Sequence, residues 1–290
     1  MSESYTPLRS VLYAPGVNRR ALEKARTLPI DCLILDLEDA VSPDEKRAAR
    51  ETVVEVLSAG GYGYRKRVLR INGLETEWGA EDIVAVAKAA VDAVLIPKVE
   101  SPETVLEAIA ALDAAGAAPD LPIWIMAETP TGILNINAIA AAHPHLEVIV
   151  MGTSDLAKEM RVRHTRGREG LMTALGLCLL AARAHGLTIL DGVYLDLQDG
   201  DGFRAACEQG RNMGFDGKTL IHPQQITPAN QLFGISAAEL KQAETIVSAW
   251  QNALQAGKGV CVVEGRLIEN LHVDEARRVI AMQGAINDRA

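Results

Sequence analysis

The chain has 290 residues, 48% of them hydrophobic, which is enough to bury a large core in one α/β domain, or less simply in two small ones. Its 38 acidic and 29 basic residues give a net charge of −9, and no Lys/Arg-rich run is dense enough to track a phosphate backbone, so nucleic acid is not an expected partner. Four separated cysteines (Cys32, Cys178, Cys207 and Cys261) without a Cys-x-x-Cys pair, no signal pattern in MSESYTPLRS, and a longest apolar stretch of only Leu171 to Ala182 predict a cytoplasmic chain without a membrane anchor.

In chain order, short apolar segments alternate with amphipathic or Ala-rich ones. Strands are predicted at Ser10 to Ala14, Cys32 to Leu37, Arg67 to Ile71, Ala93 to Pro97, Ile123 to Ala127, Glu147 to Met151, Thr188 to Leu190 and Thr219 to Ile221. The helices between and after them are predicted near Arg19 to Leu28, Asp44 to Leu57, Glu81 to Ala90, Pro102 to Ala115, Ile133 to Ala142, Arg168 to His185, Gly202 to Met213 and Pro223 to Leu232. Eight such pairs point to a closed (β/α)8 barrel, with an open doubly wound sheet as the alternative. No Gly-x-Gly-x-x-Gly follows the first strand, and Gly60-Gly61-Tyr62-Gly63 follows a helix and reads as a loop. Beyond the eighth pair come a long helix near Ala237 to Ala256, a small hairpin turning at Glu264-Gly265, and a last helix from about Val273 to Ile286. The expected division is a barrel over residues 1–235 and a C-terminal helical and hairpin extension over 236–290.

A barrel gathers its chemistry at the C-terminal strand ends. Those ends supply Pro15, Gly16, Asn18 and Arg19, then Glu38 and Asp39, Arg70 and Asn72, Lys98 and Glu100, Glu128, Asp155 and His222. The stretch from Pro122 to Leu156 holds two fully apolar strands that each deliver one acid, Glu128 and Asp155. Neighbouring parallel strands lie about 4.8 Å apart, so these two carboxylates are placed to share a divalent cation such as Mg²⁺, which takes one or two protein carboxylates and keeps its other positions for water and substrate. The alternative is that each acid merely caps a helix, one beginning at Pro130 and the other running on to Met160. Asp36, Glu38 and Asp39 form an acidic patch suited to orienting metal-bound water, or else to pairing with Arg70 or Lys98. No histidine has zinc-motif spacing; His143 and His145 fall in a Pro-containing loop and His164 in a basic one.

The segments RSVLYAPG, DCLILDLEDAVSPDEKRAAR, LRINGL, AVLIPKVES, IMAETPTGILN, GTSDLAKEM and DGKTLIHPQQI together resemble the citrate lyase beta subunit-like family of CoA-ester lyases, which includes malyl-CoA and citramalyl-CoA lyases. The resemblance implies a TIM barrel, trimeric or hexameric, that uses Mg²⁺ (or Mn²⁺) to cleave a 3-hydroxyacyl-CoA into acetyl-CoA and a 2-oxo acid. It places the metal ligands on Glu128 and Asp155, the oxo-acid-binding arginine on Arg70, and the other side of the substrate carboxylate on the amides around Ser154 and Asp155. Arg19 and Lys24 match basic positions near the CoA phosphates. In relatives a tail segment Gly-x-Met-Ile-Asp-x-Pro-His reaches a neighbouring subunit's barrel and its Asp transfers a proton. Here the stretch is Gly265-Arg266-Leu267-Ile268-Glu269-Asn270-Leu271-His272, so Glu269 holds the catalytic position and Leu271 replaces proline. The departure leaves open a related malyl-CoA thioesterase or malate-synthase-like reaction, or a citrate lyase beta-type subunit acting on an acyl-carrier partner.

Overall fold

The computed structural model describes residues 5–289. They divide into two compact units, one of residues 8–230 and one of residues 5–7 with 231–289.

The first unit is the barrel. Its strands are β1 (Ser10–Pro15), β2 (Cys32–Asp36), β3 (Lys66–Arg70), β4 (Ala93–Ile96), β5 (Ile123–Ala127), β6 (Leu146–Met151), β7 (Thr188–Asp191) and β8 (Gly217–Leu220). All neighbours pair in parallel in sequence order, and β8 closes on β1 through Ser10 opposite Lys218. The open sheet is therefore excluded. Strand residues are buried almost throughout, because one face looks into the barrel and the other onto helices, and this is why the sequence shows continuous apolar runs. The interior is filled by Val11, Cys32, Ile34, Val68, Leu95, Trp124, Met126, Val148, Val150 and Leu190, so it is a packed core and not a pore.

The helices are α1 (Arg19–Lys24), α2 (Lys46–Ser58), α3 (Gly79–Lys88), α4 (Pro102–Ala114), α5 (Pro130–Ala140), α6 (Thr153–Met160), α7 (Met172–Ala184), α8 (Gly200–Met213) and α9 (Ile226–Leu232). Several start elsewhere than expected, each for a local reason. The α5 helix begins three residues early because Thr129 accepts the Gly132 N–H and Pro130 needs no amide partner. The long helix predicted from Arg168 begins at Met172, since Arg168 sits at a left-handed φ of 54° and a 3₁₀ turn follows it. The α6 helix, foreshadowed only as the capping alternative for Asp155, is an extra element at the end of β6.

The second unit contains α10 (Ala237–Gln255), a hairpin of β9 (Cys261–Val263) and β10 (Arg266–Ile268), and α11 (Asn270–Asn287). Ser236 starts α10 with a capping box to Glu239. The hairpin turns at Glu264 and Gly265, both at positive φ (49° and 79°), as a two-residue turn between twisted strands requires. Trp250, Val263, Ile268 and Val273 form its core, and the Arg289 guanidinium donates to the Pro7 carbonyl at 2.9 Å. Among the described residues, no helix is long and apolar enough to cross a membrane.

Trp124 is wholly enclosed in the barrel core. Trp124→Ala is expected to lower stability by about 3 to 5 kcal/mol, read as a lower urea midpoint at an unchanged m-value.

Candidate active site

The floor of the barrel mouth is a buried guanidinium. Asp36 and Arg70 are the last residues of β2 and β3 and lie opposite one another in the parallel register. Arg70 Nε donates to Asp36 Oδ1 at 2.7 Å and its Nη2 to Oδ2 at 2.5 Å, while Nη1 stands 2.8 Å from Glu38 Oε2. Burial alone would discourage the charge, but the Asp36 carboxylate and its hydrogen bonds outweigh it and hold the Arg70 pKa well above the ordinary value. The Tyr13 ring lies 5.0 Å beneath the guanidinium carbon, and its hydroxyl donates to Met126 Sδ at 3.3 Å. Burial pushes the Tyr13 phenol pKa far up, so it stays neutral. Asp36 occupies the Nε–Nη2 side of the fork, which leaves other Nη hydrogens for a ligand carboxylate.

Glu38 links this pair to the next strand. Its Oε1 takes a 2.6 Å bond from Lys98 Nζ, and Lys98 follows β4 at a left-handed φ of 48°. In that backbone conformation the Lys98 N–H points at Glu128 Oε1, 2.8 Å away. Burial works against the Lys98 charge, but the Glu38 carboxylate prevails and its pKa is raised. Asp39, exposed, stands 4.0 Å from both Arg70 and Lys98.

Glu128 is 1% exposed, and its side chain lies directly on Gly152. A Cβ at residue 152 would fall 2.3 Å from Glu128 Cβ and 2.4 Å from Oε2, so only glycine allows this carboxylate its place. Burial pushes the Glu128 pKa up to about 7; the Lys98 N–H pulls the other way, Glu38 adds to the rise, Arg70 opposes it, and Asp155 adds again. Asp155 is in the first turn of α6, just past β6. The first helical bond there is Leu156 N–H to Gly152 C=O, so the amides of Thr153, Ser154 and Asp155 precede the helix's own ladder.

These residues suit a divalent cation. Two cations, Arg70 and Lys98, face five carboxyl groups: Asp36, Glu38, Asp39, Glu128 and Asp155. Among the described residues no set of three or more His, Cys, Asp or Glu side chains is arranged to hold a metal. Two hard oxygen ligands with room for water and substrate is the habit of Mg²⁺.

The structure thus brings together Arg70, Glu38, Asp39, Glu128, Ser154 and Asp155 at the ends of β2 to β6. Thr129, and not Glu128, caps α5. Asp36 takes its pairing alternative, a bidentate bond to Arg70. Arg19 is exposed on α1, ion-paired with Glu55 and, at 3.9 Å, with Glu23; Lys24 is exposed in the last turn. Glu269 lies in the second unit, exposed ahead of α11, its N–H donating to His272 Nδ1 at 3.1 Å. Sequence reasoning passed over Tyr13, Lys46 and Gly152. Lys46 is buried, and its Nζ donates to the Leu37 and Glu38 carbonyls at 2.8 Å and to Asn72 Oδ1 at 2.7 Å, fixing the backbone that carries Glu38.

Fold and mouth define a (β/α)8 barrel with a carboxylate pair and an acid-clamped arginine at its strand ends. Residues 9–223 match the HpcH/HpaI aldolase/citrate lyase family, and the chain belongs to it. It is 53% identical over 286 residues to a (3S)-malyl-CoA thioesterase of Cereibacter sphaeroides, covering 99% of this chain and 98% of that one. It is 32% identical over 278 residues to the citrate lyase subunit beta of Escherichia coli, covering 94% and 92%. The solved CitE of Mycobacterium tuberculosis in complex with magnesium, acetoacetate and coenzyme A superposes with a TM-score of 0.78 at 28% identity, over 95% of this chain and 97% of that one.

Because Glu128 ionises near 7 in the folded chain against the usual 4.5, the chelator-treated protein loses stability as pH rises from about 4.5 past 7. The expected loss is about 3 kcal/mol, absent in Glu128→Gln, as read from denaturant titrations of both proteins at pH 5 and pH 8.

Proposed function

We propose that the chain is a Mg²⁺-dependent enzyme acting on a short 3-hydroxyacyl-CoA such as malyl-CoA, and that it hydrolyses the thioester. The observation that carries this reading is the 53% identity along 98% of a (3S)-malyl-CoA thioesterase. Cleavage to acetyl-CoA and a 2-oxo acid is the second reading, favoured by the aldolase/citrate lyase family match.

Glu128 and Asp155 would hold the metal, which supplies Lewis-acid polarisation of the substrate's oxygen atoms. The Nη edge of Arg70 grips the substrate carboxylate, and Asp36 keeps that fork from turning. Amides at Ser154 and Asp155 take the other side of the carboxylate. Glu38 and Asp39 orient water around the metal site, and Arg19 and Lys24 approach the CoA phosphates. In hydrolysis, Glu269 accepts a proton from the water that adds to the thioester carbonyl; the C–S bond then breaks and the thiolate leaves as free CoA after taking up a proton. In C–C cleavage, the substrate hydroxyl loses its proton, the bond to C2 breaks, and the thioester enolate is protonated to acetyl-CoA.

We assign Glu269 to the mouth of a neighbouring copy in a homotrimer or hexamer. What supports this is its setting, since Val262, Leu267 and Leu271 around it are all more than half exposed, an apolar surface that a partner would cover.

Product analysis with malyl-CoA decides the reaction: free CoA and malate are expected, and acetyl-CoA with glyoxylate would establish the lyase. Chelation should abolish turnover and Mg²⁺ restore it. Arg70→Lys, which keeps the charge but not the fork, should lose about one to two orders of magnitude in kcat/KM. Activity of Arg70→Lys near that of the wild type would remove Arg70 from the reaction.

The subunit assignment has its own test. Arg70→Ala and Glu269→Ala should each be inactive alone and recover up to about a quarter of wild-type activity when co-expressed, because a site needs one intact barrel and one intact tail. No recovery in verified mixed oligomers would confine Glu269 to its own chain or to no role.

A further inference from the structure

We propose that Lys98 is a catalytic residue, whose ammonium meets the negative charge that develops on the thioester oxygen of the substrate. This rests on the reading of the substrate as a short 3-hydroxyacyl-CoA, and it holds for hydrolysis and for C–C cleavage alike.

Lys98 follows β4, yet its side chain ends on Glu38, which follows β2. Because β3 lies between those two strands, the side chain passes the end of β3, the strand that carries Arg70. One carboxylate then meets both cations: Glu38 Oε1 takes Lys98 Nζ at 2.6 Å, and Oε2 stands 2.8 Å from Arg70 Nη1. The two cationic heads are thereby held one carboxylate's breadth apart. The left-handed φ of 48° also sends the Lys98 N–H to Glu128 Oε1 at 2.8 Å, so this residue is tied by its backbone to the expected metal ligand and by its side chain to the neighbour of the fork.

Unused donor capacity separates Lys98 from the other cations of the mouth. Lys46 Nζ directs its three hydrogens to the Leu37 and Glu38 carbonyls and to Asn72 Oδ1. Lys98 Nζ carries as many, and among the described residues one hydrogen bond, to Glu38, engages it, with Asp39 standing off at 4.0 Å. Its side chain is 42% exposed against 9% for Arg70. A pocket of about 270 Å³, bounded in part by Asp39, Asn72, Thr76 and Pro97, opens beside it.

The substrate's dimensions fit this spacing. In malyl-CoA the thioester carbon is three C–C bonds of about 1.5 Å from the carboxylate carbon, so a carboxylate on the Arg70 fork keeps the thioester within about 4.5 Å of it. In hydrolysis the water oxygen bonds to the carbonyl carbon and the C=O π pair moves onto oxygen; when that pair returns, the C–S bond breaks and the thiolate leaves. In C–C cleavage the pair of the broken bond becomes the enolate double bond, and the π pair moves onto the same oxygen. Either way the charge appears there, and Lys98 holds it with free N–H groups without giving up a proton.

The test compares malate with lactate on the full chain in the presence of Mg²⁺, by calorimetry. Malate carries a second carboxylate where the thioester oxygen stands, and lactate lacks only that group. Lys98→Met should weaken malate binding at least about tenfold and lactate binding less than about threefold, while Lys98→Arg keeps the preference for malate. In turnover of malyl-CoA, Lys98→Met should lower kcat by about a hundredfold to a thousandfold with KM nearly unchanged, and the loss should persist in a Glu38→Gln background, where no acid at that position needs a counter-charge. Equal losses for malate and lactate, or a kcat loss that vanishes in the Glu38→Gln background, would make Lys98 a counter-charge only and overturn the proposal. So would a wild type that binds malate no better than lactate. A malate preference that disappears in Lys98→Met, in a chain that turns over no CoA ester, would support the Lys98 contact and count against the functional reading alone.

Discussion

The site depends first on the pairing of Arg70 with Asp36 at the ends of adjacent strands. A guanidinium this buried is costly unless a matched acid accompanies it, and removal of either partner leaves an uncompensated charge. The parallel register supplies the match, placing Asp36 opposite Arg70 so that two hydrogen bonds form without any loop having to supply them. From this pair the contacts run on around the barrel. Glu38 joins Arg70 to Lys98, and the Lys98 amide reaches Glu128. The group expected to grip a substrate carboxylate and the group expected to hold the metal are thus ends of one connected chain of charges.

The same chain explains the electrostatic state of Glu128. Its surroundings are dry and carry more carboxylates than cations, so the proton is retained up to about pH 7. Such a carboxyl is poorly satisfied by Lys98 alone and well suited to a divalent ion shared with Asp155. Gly152 makes the arrangement sterically feasible, and Lys46 fixes the Leu37–Glu38 backbone from beneath. Rigidity here comes from buried hydrogen bonds on strand ends, which hold geometry more tightly than a loop would.

Much of this was legible before the structure. Continuous apolar runs over Ile123 to Met126 and Val148 to Met151 identify strands buried on both faces, and an acid after each identifies the mouth. Asp155 does not cap α6, whose N-cap is Gly152 without a side-chain bond; as an acid in the first turn it complements the helix dipole and adds its charge to the surroundings of Glu128. What escaped depends on long-range placement. Lys46 lies in the charged run DEKRAAR and carries no local mark of burial; its three acceptors come from β2's end and from Asn72. Tyr13 looks like any strand aromatic until Arg70 is set above it. The left-handed turn at Lys98 is invisible because glycine, the usual signal, is absent there.

Hydrolysis and C–C cleavage make the same demands on the barrel. Both require the acid end of the substrate to be held by a fork, its oxygens to be polarised and its thioester to be aligned, and the mouth residues are suited to each of these tasks. The reactions part over the bond that breaks and the protons that move: hydrolysis needs a carboxylate that deprotonates the water adding to the thioester carbonyl, whereas C–C cleavage needs a base for the substrate hydroxyl and a donor for the enolate carbon. Within the mouth, Arg70 and Lys98 are held charged by acids and Tyr13 is held neutral by burial, which leaves proton transfer to carboxyl groups. A carboxylate brought from outside the barrel is the kind of group that can decide between them. On a side chain one methylene longer than aspartate, Glu269 would meet the substrate at a different atom, and a family of aldolases and lyases could acquire a hydrolase through such a change without altering its barrel.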